Sequence, residues 1–304
     1  MVLSPTRLAT GMRALWDKQK RAAFLSDVNK SIRHKFQSPR ETIPVFVFGR
    51  QRSGTSMLMF ALHLHPQTVV YDEHKDSIVF RDHLIRDFRT VQHVVDSSRA
   101  PFCCFKPICD SHRIMDFLKA FPQSRNLWVY RHYKANALSA LKKFPHATRA
   151  VRLTCTGQVG GGWFQEGVSA ETEAILKSVY SDKLTSFDLS CLAWWARNQI
   201  FLEHQLANHP RVTLVRYETL VVEGEENLAW IFGRLGLPMH QKCGRFIHQS
   251  SVRKPEAPTL APSVEELCEK TLNALDTYYE RTLQDSRISP TADHPLNGSR
   301  SLQE

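Results

Sequence analysis

The segment formed by residues 43–64 constrains the fold more than any other part of the chain. It begins with a short apolar run of residues that favour β-strands, long enough for one buried strand. An apolar segment of helical length follows, and it ends where a proline comes after His65. Between the two lies a loop that contains Gly49 and Gly54. A loop of this kind presents unpaired backbone N–H groups and the positive end of a helix dipole, so the segment predicts an anion-binding site.

The loop has the spacing of a phosphate-binding P-loop, G-x-x-x-x-G-K-[ST], with one difference. Thr55 stands where the lysine is expected, and a cation occurs earlier, at Arg52. Because that lysine reaches the β- and γ-phosphates of a nucleoside triphosphate, its absence disfavours nucleotide hydrolysis and γ-phosphoryl transfer. An arginine together with the hydroxyls of Ser53, Thr55 and Ser56 suits a 5′-phosphate that carries one further oxyanion. For this motif alone, a glycine- and serine-rich turn without a ligand is the alternative interpretation.

Composition narrows the classes of partner. A length of 304 residues allows one large domain or two small ones. The net charge of +10 favours an anionic partner, such as nucleic acid, an acidic membrane surface or a polyanionic cofactor. Because the charge is not gathered in one basic block, a general nucleic-acid binder is not favoured. No stretch reaches the roughly 18–20 apolar residues of a membrane span, and the N-terminus lacks the pattern of a signal peptide, so we expect a cytoplasmic protein.

The cysteines predict neither a metal site nor a disulfide framework. Their spacing is irregular, without the paired arrangement of a zinc site, and a disulfide framework is unusual in a chain of this length. We expect reduced thiols that lie mostly in the core. The seven cysteines are Cys103, Cys104, Cys109, Cys155, Cys191, Cys243 and Cys268.

Short apolar segments that alternate with helical ones predict an α/β fold. The predicted strands are residues 43–48, 67–73, 102–106, 126–131 and 211–218. Strands that alternate with helices build a mostly parallel central sheet with helices on both faces, that is, three layers. We expect a helical lead-in over residues 1–36, a single domain over 37–285 and a disordered tail over 286–304.

Four of the predicted strands lead into a ligand-binding edge. The first leads into the glycine loop, and the others end in Asp72-Glu73, Lys106 and Arg131. The carboxyl ends of parallel strands meet at one edge of a sheet, where α/β proteins bind their ligands. We therefore expect these side chains to lie near the loop. A solvated strand end or a helix cap is the alternative for each of them when it is considered alone.

Less regular patterns mark the remaining segments. Residues 77–98 indicate a charged helical segment, and residues 187–208 indicate a long amphipathic helix. Residues 145–169 predict an irregular, glycine-rich segment with Trp163-Phe164 at its end, which is either a mobile lid or disordered. A capped helix is expected over residues 263–283.

Four motifs follow one another in a fixed order. The first is R-S-G-T-S at residues 52–56, and the second is a strand that ends in Arg131 with Ser139 eight residues later. The third is R-Y-E-T-L at residues 216–220, which a helix and L-G-L-P follow. The fourth is a basic, serine-containing loop at residues 250–254, before the last helix. Together they resemble the sulfotransferase family that uses 3′-phosphoadenosine 5′-phosphosulfate (PAPS).

The resemblance implies a nucleotide site for PAPS and for its product 3′,5′-adenosine bisphosphate (PAP). It implies that the glycine loop holds the 5′-phosphosulfate, that Arg131 and Ser139 hold the 3′-phosphate, and that Tyr217 lies near the adenine. The basic loop before the last helix would close over the nucleotide. The implied nucleotide-binding residues are Arg50, Gln51, Arg52, Ser53, Gly54, Thr55, Ser56, Arg131, Ser139, Tyr217, Ser251, Arg253 and Lys254.

Within the family, three features resemble the tyrosylprotein, carbohydrate and bacterial small-molecule branch. They are the His-Pro pair at residues 65–66, the Asp72-Glu73 pair and Lys106. In the cytosolic steroid and phenol enzymes of the family, a catalytic histidine follows the lysine by two positions. This chain has Ile108 at that position, so a histidine base of that type is absent.

The resemblance also implies a chemistry, which is sulfuryl transfer to a hydroxyl or amine by in-line displacement. Arg52 and Lys106 would stabilise the transferring group and the leaving 5′-phosphate oxygen. Glu73 would accept the proton of the acceptor as general base, with Asp72 and His74 as the alternatives. No metal is required, because side-chain cations supply the positive charge.

The acceptor is expected to be a small metabolite or natural product. Residues 74–102 and 145–185 are expected to line its pocket, and they are the least patterned parts of the chain. Neither a nucleic-acid partner nor a membrane span is expected.

Two other classes fit part of the pattern. One is a P-loop kinase or another nucleotide-dependent enzyme, against which the missing lysine argues. The other is a non-catalytic module that binds a nucleotide or polyanion, and such a module would need neither Glu73 nor Lys106. Replacement of Glu73 by alanine therefore distinguishes the two classes. A transferase should lose turnover without losing affinity for the nucleotide.

Overall fold

The computed structural model describes residues 5–35, 41–73, 76–146, 148–247 and 257–288. Its strands are β1 (Ile43–Gly49), β2 (Thr68–Asp72), β3 (Phe80–Arg81), β4 (Leu84–Ile85), β5 (Phe102–Lys106), β6 (Arg125–Tyr130) and β7 (Val212–Arg216). Five of them form a parallel sheet in the order β2-β5-β1-β6-β7, and β3 pairs with β4 as a separate antiparallel hairpin. The predicted α/β fold with a mostly parallel sheet is confirmed.

Helices make up the two outer layers. In chain order they are α1 (Pro5–Lys35), α2 (Thr55–Leu64), α3 (Phe88–Ser97), α4 (Ile114–Ala120), α5 (Tyr133–Lys143), α6 (Thr148–Cys155), α7 (Trp163–Glu166), α8 (Ala170–Val179), α9 (Ser186–Glu203), α10 (Tyr217–Glu223), α11 (Glu225–Leu235), α12 (Gln241–Gly244) and α13 (Pro262–Ile288). Among the described residues, no helix is both long enough and apolar enough to cross a membrane.

The side chains of β1 alternate between two hydrophobic cores. Val45 and Val47 pack in one core with residues of α2 and α11, and Phe46 and Phe48 pack in the other with residues of α4, α9 and α13. Successive side chains of a strand point to opposite faces, so a strand that is apolar throughout requires cover on both sides. All four side chains are fully buried, and the predicted three-layer arrangement is confirmed.

The strand order creates a crevice beside β1. From β1 the chain passes to β2 and β5 on one side, and only afterwards to β6 and β7 on the other. Open α/β sheets bind ligands at the carboxyl edge where the strand order reverses in this way. The loop after β1 lies at this point, with Lys106 at the end of β5 and Arg131 directly after β6.

The helical prediction for residues 77–98 is partly wrong. The structure contains the β3-β4 hairpin and only the short helix α3 in this segment. Asp82 and His83, which connect the two strands, have φ angles of 50° and 68°, and this left-handed turn interrupts a helix. The helix begins after Asp87, whose carboxylate accepts a hydrogen bond from Thr90 N at 2.7 Å and caps it.

The prediction of an irregular segment over residues 145–169 is also partly wrong, because α6 and α7 lie within it. Val151 of α6 and Phe164 of α7 are buried in the core that contains Phe46. Burial of these apolar side chains stabilises the two helices. The sequence pattern does not predict them, because the glycines of the segment weaken a helical pattern. Gly157, Gly160 and Gly162 have positive φ angles and lie between the two helices.

Helix α9 is buried on nearly all sides, which corrects the predicted amphipathic helix over residues 187–208. Of its 18 residues, 14 are buried, among them four polar ones. A capping box begins the helix, in which Thr185 and Asp188 each accept a hydrogen bond from the backbone N–H of the other. A second oxygen of Asp188 accepts a bond from Ala261 N at 2.8 Å, so the start of α9 is also fixed to the start of α13.

Three further predictions concern the cysteines, the first helix and the domain bounds. All seven cysteines are free thiols and are buried, as predicted. Helix α1 contacts α2 through Ser26 Oγ and Lys30 Nζ, which both donate to the carbonyl oxygen of His63. The division into lead-in, domain and tail stays a prediction, because α13 continues to Ile288 and residues 289–304 lie outside the described residues.

We expect Gly49→Ala to destabilise the protein by roughly 2–3 kcal/mol. Gly49 has a φ of 129°, and a Cβ atom at this position would lie 2.3 Å from the carbonyl oxygen of Val129 on β6. The control is Gly233→Ala within α11, where a Cβ atom meets nothing within 4 Å. That substitution should stabilise the helix by roughly 0.5–1 kcal/mol. Urea unfolding measures both changes, and equal stabilities of the two variants would contradict the close approach of β1 to β6.

Candidate functional site

The loop after β1 turns sharply into α2. Gly54 precedes the first residue of α2 and has a φ of 93°. A Cβ atom at Gly54 would lie 2.1 Å from the ring of Tyr217, so the aromatic ring packs directly on the loop backbone. Arg52 has a φ of 69°, which is rare for a residue with a side chain. The first turn of α2 is therefore presented at the sheet edge, with Thr55 buried and Ser56 exposed.

Asn136 of α5 holds this loop in place through three hydrogen bonds. The sequence did not predict this role. Its Nδ2 donates to the carbonyl oxygen of Gln51 at 3.0 Å and to Ser53 Oγ at 2.9 Å. Its Oδ1 accepts a hydrogen bond from Arg50 Nη1. Asn136 is fully buried, so these bonds do not compete with water. In the sequence, a single polar residue in a helix looks the same whether it is exposed to solvent or buried in a hydrogen-bond network. The sequence therefore contains no signal that identifies Asn136 as a support of the loop.

Arg50 is buried and belongs to the support of the loop as well as to a neighbouring cavity. Besides Asn136, it bonds through Nη2 to Ser190 Oγ of α9 at 3.4 Å. Burial lowers the pKa of Arg50 to about 10, so the side chain stays charged at neutral pH.

Four residues that the sequence analysis assigned to the nucleotide lie together beside the loop. Arg52 Nε donates to Ser139 Oγ at 3.0 Å, and Arg131 Nη1 donates to the carbonyl oxygen of Arg52 at 3.3 Å. The guanidinium carbon of Arg131 lies 4.5 Å from the ring centroid of Tyr217. Burial and the charge of Arg131 lower the pKa of Arg52. Two neighbouring guanidiniums, a hydroxyl and an aromatic face suit a nucleotide that carries a phosphate.

The residues on either side of Tyr217 have structural partners. Arg216 forms ion pairs with Glu280 at 3.0 Å and with Asp276 at 3.6 Å, both on α13. The carboxylate of Glu218 accepts a hydrogen bond from His132 N at 3.0 Å and so connects α10 to the segment after β6. In the R-Y-E motif, the outer residues therefore hold Tyr217 beside Arg131.

A second group of charges surrounds Lys106, which is fully buried at the end of β5. Its Nζ lies 3.0 Å from Asp72 Oδ1 and 3.9 Å from Glu73 Oε1. The same Nζ donates to Ser56 Oγ in the first turn of α2 at 3.2 Å. The structure thus places a buried cation at the N-terminus of α2. The charge of the lysine and the positive end of the helix dipole both attract an anion to this place.

Glu73 combines burial with a position close to this cation. Its side chain is 4% exposed, and its Oε2 accepts a hydrogen bond from Ile108 N at 3.0 Å. Burial raises the pKa of Glu73 to about 7, although Lys106 and the Ile108 bond act in the opposite direction. A carboxyl group with this pKa exchanges its proton near neutral pH, as a general base must. Of the two alternatives for the base, Asp72 pairs with Lys106, and His74 lies outside the described residues.

A cavity of about 510 Å³ opens beside Glu73. Its wall contains aromatic rings, cations and the Glu73 carboxylate as its one acidic side chain among the described residues. The lining residues used below are Arg50, Glu73, Lys143, Phe144, Arg149, Trp163, Phe164 and Arg197. Part of this wall comes from the predicted range 145–185, and part comes from α5 and α9, which the sequence analysis did not assign to it. Arg197 in particular was missed, because α9 read as an ordinary amphipathic helix.

The remaining predicted residues lie apart from these two groups or outside the described residues. Gln51 Nε2 lies 3.4 Å from Cys109 Sγ at the cavity wall. Ser251, Arg253 and Lys254 fall in residues 248–256, which the structure does not describe. Over the described ranges, no three histidine, cysteine or acidic side chains are grouped so that they could hold a metal ion.

Several solved structures are similar to this chain, and those named here are sulfotransferases. One from Alicyclobacillus acidocaldarius is 15% identical, with 79% of this chain and 95% of that chain covered and a TM-score of 0.43. The sulfotransferase domain of the Synechococcus PCC 7002 olefin synthase is 12% identical, with coverages of 77% and 96% and a TM-score of 0.43. A mouse sulfotransferase complexed with PAP is 14% identical, with coverages of 84% and 89% and a TM-score of 0.43.

The sequence motifs and these solved structures thus both point to a sulfotransferase fold. No family model matches the sequence, and no curated protein matches it.

The raised pKa of Glu73 predicts a measurable effect on stability. A carboxyl group whose pKa is near 7 in the folded state and near 4.5 in the unfolded state binds more protons when folded, so stability falls as pH rises between these values. Glu73→Gln removes this titration. We expect the stability of Glu73→Gln relative to wild type to increase by roughly 2 kcal/mol from pH 5 to pH 8. Urea unfolding at both pH values measures it, and parallel pH profiles of the two proteins would contradict the assigned pKa.

Proposed function

We propose that this protein transfers the sulfuryl group of PAPS to a hydroxyl or amine of a small-molecule acceptor. The observation that carries the proposal is the position of Glu73. Its carboxylate lies 3.9 Å from Lys106 Nζ, at the N-terminus of α2, and also lines the cavity. A group in this position can take a proton from an acceptor in the cavity while the sulfuryl donor occupies the anion-binding side.

The donor side is assigned to the loop, which includes Arg52, and to Arg131, Ser139 and Tyr217 beside it. The loop backbone and the N-terminus of α2 would bind the 5′-phosphosulfate, together with the hydroxyls of Ser53, Thr55 and Ser56. Arg131 and Ser139 would bind the 3′-phosphate, with the adenine near Tyr217. The net charge of +10 agrees with a co-substrate that carries several negative charges. Ser251, Arg253 and Lys254 would close over the nucleotide, as the family resemblance implies.

In the proposed reaction, the acceptor oxygen or nitrogen attacks sulfur and its proton passes to Glu73. The bond between sulfur and the 5′-phosphate oxygen breaks, and the leaving oxygen gains negative charge. Lys106 stabilises that charge, because it is held by Asp72 and Ser56 next to the start of α2. The contact of Arg52 with Ser139 favours a role of this arginine at the 3′-phosphate. Its predicted role on the transferring group stays a prediction, as do the cytoplasmic location and the class of acceptor.

Calorimetric titration tests the donor side directly. We expect PAP to bind tightly without a metal, and ATP with magnesium to bind weakly. Adenosine 5′-monophosphate, which lacks the 3′-phosphate, should also bind more weakly than PAP. Arg131→Gln should reduce the preference for PAP over the monophosphate by roughly 10- to 100-fold, because it removes a charge-assisted bond to the 3′-phosphate.

The control for this titration is Arg86→Gln, whose guanidinium bonds to Ser77 in the hairpin segment and should not affect the preference. Stronger binding of ATP with magnesium than of PAP would overturn the proposal and favour a kinase or another nucleotide-dependent enzyme.

Removal of the base should abolish turnover and leave the nucleotide site intact. We expect Glu73→Ala to lower kcat by roughly 10²- to 10⁴-fold, while the Kd for PAP stays within about twofold, because the carboxylate acts on the acceptor. Rates with PAPS and a phenolic acceptor, combined with PAP titration, measure this separation.

Two further variants complete the experiment. Asp82→Asn changes an exposed carboxylate of the β3-β4 turn and should keep the wild-type rate. Asp72→Asn tests the alternative base. Full activity of Glu73→Ala together with inactivity of Asp72→Asn would assign the base to Asp72 instead.

A further inference from the structure

Arg197 of α9 is a buried cation that lines the cavity. Its exposed fraction is 3%, and neither of its Nη atoms has a hydrogen-bond partner among the described residues. The guanidinium carbon lies 5.0 Å from the ring centroid of Trp163, which also lines the cavity. Arg197 therefore lines the cavity with a buried guanidinium whose Nη atoms have no protein acceptor among the described residues.

The carboxylates of this region are already engaged, including Asp110, whose charge acts on Arg197. Asp110 Oδ2 accepts a hydrogen bond from Ile85 N at 2.8 Å, and Asp110 Oδ1 pairs with Arg113 Nη1 at 3.0 Å. Glu73 accepts a bond from the Ile108 backbone and faces Lys106. A buried guanidinium that forms no ion pair and no hydrogen bond through its Nη atoms costs free energy, so an arginine in this position is typical of a site that an anion completes.

Other cations of the wall increase this demand for negative charge. Arg50 lines the same cavity, and its charge is close enough to Arg197 that each lies in the field of the other. Lys143 and Arg149 also line the cavity, whereas Glu73 is its one carboxylate among the described residues. Rings of Phe144, Trp163 and Phe164 supply apolar surface between the charges.

We propose that the acceptor carries a carboxylate that binds Arg197, at a distance from the hydroxyl or amine that receives the sulfuryl group. The planar guanidinium can donate two parallel hydrogen bonds to a carboxylate. The body of the acceptor would lie against the aromatic rings, with its nucleophile at Glu73. The acceptor class is thus a hydroxy or amino acid with an apolar or aromatic body. The assignment of the nucleophile rests on the proposed function, and the carboxylate site does not.

A pair of matched probes tests the carboxylate site. They are 3-(4-hydroxyphenyl)propanoate and its primary amide, which has the same shape without the charge. With PAPS at saturation, wild type should show a kcat/KM for the acid that is roughly 10- to 100-fold above that for the amide. Arg197→Gln should lose this preference through a fall in the value for the acid, with the amide almost unchanged. Arg197→Lys should keep part of the preference, and Arg86→Gln should keep all of it.

Two further measurements separate a carboxylate site from a structural arginine. Thermal unfolding of the free protein should show that Arg197→Gln is at least as stable as wild type, since it removes an unpaired buried charge. A structural arginine that acts through Trp163 predicts the reverse, namely lower stability and an unchanged ratio of acid to amide. If Arg197→Gln does not fold, wild type and Arg197→Lys decide, because equal values for the acid and the amide overturn the proposal.

Calorimetric binding of 3-phenylpropanoate, which has no nucleophile, distinguishes this proposal from the proposed function. Binding that depends on Arg197 in a protein that does not bind PAP would leave the carboxylate site standing and overturn sulfuryl transfer. Binding of PAP with no preference for the acid over its amide would do the opposite. Tight binding of PAP together with an Arg197-dependent preference for the acid supports both.

Discussion

The buried charge of Lys106 is the constraint on which the arrangement of the site depends. A lysine that is fully buried at the end of a central strand needs a counter-charge, and the register of the sheet supplies one by pairing Asp72 of β2 with Lys106 of β5. The residue that follows in the chain is Glu73, so the same register brings the proposed base to the same edge. Ser56 completes the group from α2. The order of three neighbouring strands thus determines which side chains meet, before any ligand is present.

The donor side depends in turn on a small number of buried polar bonds. Asn136 ties Arg50, Gln51 and Ser53 to α5, and Tyr217 packs against Gly54 from the other side. Both supports come from elements that follow strands of the sheet, so the loop is held at the point where the strand order reverses. Buried hydrogen bonds and close packing are expected to give the loop one conformation, which suits electrostatic stabilisation of a transferring group.

The sequence predicted the central sheet, the loop after β1 and the charged ends of the strands, because strand periodicity and glycine spacing are local properties. It did not predict the β3-β4 hairpin, which depends on left-handed backbone at Asp82 and His83. Residues such as Asn136 and Arg197 could not be found from pattern either. Each is a polar residue on a helix, and its role follows only from the neighbours that tertiary packing brings to it. Burial, not local sequence, distinguishes them from ordinary surface positions.

One part of the cavity wall comes from a segment of the chain that contributes nothing to the proposed donor side. Helices α6 and α7, which contribute Arg149, Trp163 and Phe164 to the cavity, lie between Ser139 and Tyr217 in sequence and contain none of the residues assigned to the donor. Within the described residues, this segment packs mainly on α9 and α8, and no hydrogen bond joins it to the glycine loop. Under the proposed function, substitutions of the cavity-lining residues Arg149 and Trp163 are therefore expected to change acceptor preference and to leave donor recognition intact. If the proposed function holds, these positions are the ones to vary in a library that diversifies the acceptor.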